Sequence, residues 1–218
     1  MTMSLMLLAA ACGERAPAPE HSAGTTADSA DTRPVIVFLG TSLTAGLGLD
    51  PSQAYPALIQ QKLDSAGLGY RVVNAGVSGE TSSDARARIG WLLRMNPAVL
   101  VVETGANDGL RGLSVDALRA NLDSILATAA RHQPSPRLVV IGMQAPPNLG
   151  QRYTNAFGEV FSAEAARHDA ALVPFLLRGV GGVDSLNQGD GIHPTAAGQK
   201  VLAETVWEVL QKVLHQES

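Results

Sequence analysis

The chain has 218 residues, of which 45% are apolar and 17% charged, with a formal net charge of −4 at pH 7. That size suits one ordinary domain with a full core. The mild negative balance and scattered basic residues argue against a nucleic-acid partner, whose phosphates call for clustered Lys and Arg.

Residues 1–12, MTMSLMLLAAAC, hold an apolar run too short for a membrane span, which needs ~20 residues. The run reads as the apolar region of an export signal. Small residues before Cys12 resemble a bacterial lipoprotein processing site, in which Cys12 becomes the lipidated first residue of an exported, periplasmic or membrane-anchored protein. Two features depart from that pattern: no Lys or Arg precedes the run, and Ala9 stands where Leu is usual. The alternative is a cytoplasmic chain with an apolar N-terminus. Cys12 is the only cysteine, so the rest of the chain has no disulfide and no cysteine metal site. Residues 13–33 are rich in Ala, Pro, Ser, Thr and Asp and read as a disordered tether. The folded domain is expected over 34–216.

From Pro34 onward, short apolar runs alternate with helical patterns. VIVFLG (35–40), YRVVNA (70–75), AVLVVET (98–104), RLVVIGM (137–143) and ALVPF (171–175) read as strands, the first as one buried on both faces. Helices are expected over 56–66, with Gly67 as a stop, and over 82–95, with Thr81 as N-cap. In 114–131, Leu118, Leu122, Ile125, Leu126 and Ala129 form one apolar stripe. Val201, Leu202, Val206, Val209, Leu210 and Val213 form another near the C-terminus. Five such strands imply a parallel, doubly wound α/β sheet with helices on both faces. Ligands in such sheets bind at the strands' carboxyl ends, which directs attention to loops 40–50, 75–81, 104–113, 143–155 and 175–195.

The first of these loops, in FLGTSLTAGLG (38–48), is glycine-rich. A phosphate-binding P-loop needs G-x-x-x-x-G-K-[ST]. Here Gly40 and Gly46 are six apart and Leu47 stands where lysine might. The dinucleotide fingerprint fails as well, because Pro51 replaces its third glycine. Alternatively, Ser42 is a nucleophile held just past a strand end, or Ser42 or Thr41 simply caps a helix. A nucleophilic serine needs a base, and DGIHPTAAG (190–198) offers one. His193 precedes Pro194, which favours an extended, stiff backbone. Asp190 is near enough in sequence to bend back to the imidazole. The plain reading of that stretch is an Asp-Gly turn with a surface histidine. His132 and His168 lie near the ends of polar helical segments, and no two histidines have the H-x-x-x-H spacing of a helical zinc site. Nothing in the sequence announces a metal.

An oxyanion needs donors. Gly79 in NAGVSGETS (74–82) can present its N–H, and Asn107 in TGANDGL (104–110) its side-chain NH₂, unless both serve only turns. In MQAPPNLGQRYT (143–154) the proline pair marks a stiff loop, expected to be a pocket wall. Leu110, Leu113, Met143, Leu149 and Tyr153 are candidates for an acyl or aryl surface, or for packing at the loop roots.

Taken in order, FLGTSLTAG, SGETS, GAND and DGIHP resemble the GDSL or SGNH hydrolase family over about 36–214. NAGVSGETS, ANDGLRG and DGIHP are most similar to its bacterial arylesterase and lysophospholipase/thioesterase branch. The resemblance implies a flavodoxin-like three-layer α/β/α sandwich with a central parallel five-stranded sheet. It implies Ser42 as nucleophile, His193 as general base and then acid, and Asp190 as orienter of His193. The oxyanion donors would be the N–H groups of Ser42 and Gly79 and the side chain of Asn107. It implies no metal and no organic cofactor. The chain itself is expected to be a monomer, with a small-molecule or lipid ester as its substrate. Acyl transfer to another acceptor, or non-catalytic lipid or glycan binding, are the competing classes. One departure is plain: the family's Gly-Asp-Ser-Leu is Gly40-Thr41-Ser42-Leu43 here.

Overall fold

The computed structural model describes residues 31–215. The export-signal reading of 1–12, Cys12 and nearly all of the tether lie outside the described residues.

Five strands form one all-parallel sheet: β1 (Val35–Gly40), β2 (Arg71–Gly76), β3 (Val99–Glu103), β4 (Arg137–Ile141) and β5 (Ala171–Val173), in the order β2-β1-β3-β4-β5. The strands differ in burial for a positional reason. β1 and β3 are central and buried at every residue, whereas β2 at the sheet's edge is only partly covered. β5 stops at Val173, two residues short of the expected end. Pro174 has no N–H to offer a ladder.

Seven α-helices are described: α1 (Ser42–Ala45), α2 (Tyr55–Ser65), α3 (Ser82–Leu93), α4 (Ala106–Leu110), α5 (Val115–Ala130), α6 (Gln151–Arg167) and α7 (Ala196–His215). α3, α5 and α6 pack in succession over one face of the sheet, and α2 packs on α7 over the other. The expected three-layer sandwich is therefore the observed fold. The stripe expected on α5 is buried throughout, from Leu118 to Ala129. Thr81 is the N-cap of α3, where the Asp84 carboxylate accepts the Thr81 N–H (2.9 Å) and O–H (2.7 Å). Those two bonds hold the Asp84 carboxyl below the ordinary aspartate range.

Two expected loops contain helices. Residues 104–113 include α4, and the span 143–154 runs through a 3₁₀ turn (Pro147–Leu149) into α6. The signal for α6 is in the sequence. Phe157, Val160, Phe161 and Ala165 recur at three- and four-residue steps and are all buried.

β1 has β2 on one side and β3 on the other, so the chain reverses its direction of winding between β1 and β3. α1 follows β1 and α4 follows β3. Both open onto the crevice that this reversal creates at the strands' carboxyl ends.

Candidate active site

Ser42 opens α1 one residue beyond the Thr41 N-cap and is 8% exposed. In a helix's first turn the N–H groups have no intrahelical acceptor, so the Ser42 N–H is available to a ligand. Gly40 before it cannot carry a side chain. A Cβ there would lie 2.0 Å from Thr44 Oγ1 and 2.9 Å from Glu103 Oε2.

His193 arrives from the other end of the chain. Its Nε2 is 2.9 Å from Ser42 Oγ, and its Nδ1 is 2.6 Å from Asp190 Oδ2. The other Asp190 oxygen accepts the backbone N–H groups of Ile192 (2.9 Å) and His193 (3.0 Å). The bond from His193, followed by these backbone donors, pulls the Asp190 carboxyl far below the ordinary range. An ionised carboxylate only accepts. Nδ1 must therefore carry the proton in neutral His193, leaving Nε2 to accept from the Ser42 hydroxyl. The loop is held from behind as well. The Gln188 N–H donates to the His193 carbonyl (2.7 Å), and Gln188 Nε2 donates to the Leu47 (2.8 Å) and Pro194 (3.0 Å) carbonyls.

Asn107, on α4, lines the same cavity as Ser42 and His193. One of its amide hydrogens goes to the Glu80 carbonyl (2.9 Å), which leaves the second for the site. Gly79 precedes Glu80 in that loop with a positive φ of 80°, a conformation that favours glycine. Its carbonyl accepts from Arg111 Nη2 (3.0 Å), and it is not among the residues lining the cavity. The loop is pinned further by Arg88. Its guanidinium pairs with Glu80 and donates to the Ala75 (2.8 Å) and Gly40 (3.3 Å) carbonyls.

Sequence reasoning passed over Glu103, the last residue of β3. It is fully buried beneath α1 and accepts the Thr41 N–H (2.8 Å), the Thr41 hydroxyl (3.0 Å) and the Thr44 hydroxyl (2.8 Å). Thr44 Oγ1 also meets the Tyr55 hydroxyl at 2.8 Å. Thr41 thus serves not as a side-chain cap but as a double donor to Glu103, anchoring the residue just before Ser42. Neither spacing nor motif marks Glu103. The available signal was an acidic residue ending an otherwise apolar central strand.

The cavity has a volume of about 400 Å³. Leu43, Leu110, Met143, Ala145, Pro146, Phe175, Leu177 and Ile192 supply its apolar lining. Leu110 (48% exposed) and Ile192 (42%) leave its mouth open to solvent. Of the five apolar candidates, Leu110 and Met143 line it, whereas Leu113, Leu149 and Tyr153 do not. Tyr153 belongs to α6, where it stacks on Phe157 and donates its hydroxyl to the Leu113 carbonyl (2.7 Å). Leu149 sits beside Gly112. Phe175, Leu177 and Ile192 come from the last long loop, whose apolar residues had no periodicity to single them out.

Residues 38–201 match the model of the GDSL-like lipase/acylhydrolase family. The chain is 47% identical over 180 residues to the esterase TesA of Pseudomonas aeruginosa, covering 82% of this chain and 89% of that protein. It is 36% identical over 193 residues to thioesterase 1/protease 1/lysophospholipase L1 of Escherichia coli K12, covering 88% and 89%. Among solved structures, AlinE4, an SGNH-hydrolase family esterase, superposes with a TM-score of 0.69 at 39% identity, over 84% of this chain and 97% of that one.

Proposed function

Starting from a chain that belongs to the GDSL-like lipase/acylhydrolase family and is a carboxylic ester hydrolase, we propose that it cleaves short- to medium-chain acyl or aryl esters through an acyl-enzyme on Ser42. Thioesters and lysophospholipids fall within the same chemistry, and the names of the relatives favour that breadth. The observation that carries the reading is the 2.9 Å approach of Ser42 Oγ to His193 Nε2, with Asp190 2.6 Å behind the ring.

In this mechanism Ser42 Oγ attacks the carbonyl carbon while His193 Nε2 takes its proton. Asp190 holds the ring in the tautomer that makes Nε2 basic and stabilises the imidazolium. Negative charge grows on the substrate oxygen, met by the Ser42 N–H, the second Asn107 amide hydrogen and the Gly79 N–H. Each well-placed donor in a dry site contributes on the order of 3 kcal/mol. The intermediate collapses as His193 protonates the departing alcohol or thiol. Water, deprotonated by His193, then attacks the acyl-enzyme and frees both the acid and Ser42. The apolar cavity accepts the acyl or aryl group, and the open mouth past Leu110 and Ile192 lets the leaving group depart. No second subunit is required at any step.

Ser42→Ala should lower p-nitrophenyl acetate hydrolysis by at least ~10³-fold. Near-native rates in a folded, contaminant-free mutant would end the proposal. We also propose that the domain acts after export, held to a membrane through lipidated Cys12. Radiolabelled palmitate should enter the full-length chain in a Gram-negative host and not enter Cys12→Ser. Equal labelling of both would refute the anchor.

A further inference from the structure

Away from the active site, α5 and α6 bring together three side chains that the ester chemistry does not use. Glu164 and His168 share one face at the end of α6, one helical turn apart, and Asp123 faces them from α5. One ligand atom from each lies within 4.8 Å of the others. His168 Nε2 is 2.7 Å from Asp123 Oδ1 and 3.9 Å from Glu164 Oε2. None of the three lines the catalytic cavity. The end of α6 leads directly into β5, which places the cluster toward the amino ends of the strands, opposite the ester site.

A second observation concerns Glu164 alone. The residue is 2% exposed, and its Oε2 is buried with no hydrogen-bond partner among the described residues. Its other oxygen is 3.4 Å from Arg119 Nη1, so the unpartnered one is the oxygen turned toward His168. A buried carboxylate oxygen without a partner is costly. A cation between Oε2, the imidazole and Asp123 removes that cost.

We infer that Asp123, Glu164 and His168 form a binding site for a divalent transition-metal ion of the zinc class. One imidazole nitrogen with two carboxylate oxygens suits Zn²⁺, Co²⁺, Mn²⁺ or Ni²⁺ rather than Ca²⁺, which takes oxygen ligands alone. A tetrahedral zinc-type ion with ligands at ~2.0–2.1 Å sets them about 3.4 Å apart. The 2.7 Å contact must open by about 0.7 Å, and the 3.9 Å gap close by about 0.5 Å, to reach that spacing. Water completes the coordination. Without an ion the two carboxylates are balanced by Arg119 and by Arg167, whose Nε is 3.5 Å from Asp123 Oδ1. Arg119 holds the other Glu164 oxygen and can stay in place, whereas the Arg167 side chain is 64% exposed, so water can take over where the ion displaces it. Arg167 competes with the ion for the same oxygen and weakens its binding. The ion would tie α5 to α6.

The test is titration of the full chain with Co²⁺, followed by its visible absorption and by calorimetry, in wild type and four variants. One equivalent should bind. Affinity should fall at least about tenfold in His168→Ala and in Asp123→Asn, since even outer-shell partners cost that much. It should rise in Arg167→Ala. It should persist in His193→Ala, which removes the catalytic imidazole as an alternative ligand. Circular dichroism would establish that each variant is folded. No Co²⁺ binding, binding unchanged by His168→Ala and Asp123→Asn, or binding lost only with His193→Ala would overturn the inference.

Discussion

At Glu103, burial and hydrogen bonding pull in opposite directions. Burial pushes its carboxyl above the ordinary glutamate range, and the Thr41 and Thr44 donors pull it back only in part. An acid raised in the folded state contributes stability that is present below its ordinary value and lost as pH rises through the raised one. Glu103→Gln removes that dependence and turns an NH₂ group toward donors that wanted an acceptor. The variant should be about 1–3 kcal/mol less stable than wild type in acid. The gap should narrow as pH climbs, because only wild type then carries a buried charge. Urea unfolding of both proteins across the acidic range measures this, and a gap that widens with pH would reverse the assignment. At the position where the family carries Asp, Thr41 offers a hydroxyl and an N–H, and both donate to Glu103. At this scale the sequence was legible where chemistry is local. Asp190 and His193 are three residues apart before a proline, and their pairing follows from that spacing. Glu103 reaches Thr41 across 62 residues, a relation that no local pattern records.

The helices decide how firmly the proposed oxyanion side is held. α4 carries Asn107 and is braced from behind by α6. A Cβ built on Gly109 would lie 3.0 Å from Phe157 Cζ and 3.1 Å from its Cε2. Phe157 itself is fixed between Tyr153 and Phe161. Gly109→Ala must therefore shift α4 or Phe157. Overpacking of this kind costs roughly 1–3 kcal/mol. Because Asn107 is two residues away, we expect kcat to fall while KM changes little, measured on p-nitrophenyl butyrate alongside thermal unfolding. A stable variant with unaltered kcat would show that α4 is not positioned by α6. The strands and the two strongly striped helices, α5 and α7, were legible because apolar periodicity is itself the signal for burial. α4 was not. Its sequence, ANDGL, has the composition of a turn, and it becomes helical where the end of β3 meets α6.

Across the whole molecule, the sheet order turns a linear list of weak motifs into one crevice. β1 delivers Ser42, β3 delivers Asn107 beside it, and the loop before α7 returns His193 from 151 residues away to within 2.9 Å of Ser42. Doubly wound topology was inferable from five alternating strands, and with it the end of the sheet where a ligand belongs. The cavity's lining was only half inferable, because Phe175, Leu177 and Ile192 reach it through an irregular loop. The central claim is that this long-range closure makes Ser42 nucleophilic. A fluorophosphonate reacts covalently with a serine so activated, and peptide mass spectrometry locates the adduct. One adduct per chain on the Ser42 peptide, strongly slowed in His193→Ala, is the predicted result. A wild-type enzyme that hydrolyses esters yet carries no adduct on Ser42, or labels equally fast without His193, would contradict it.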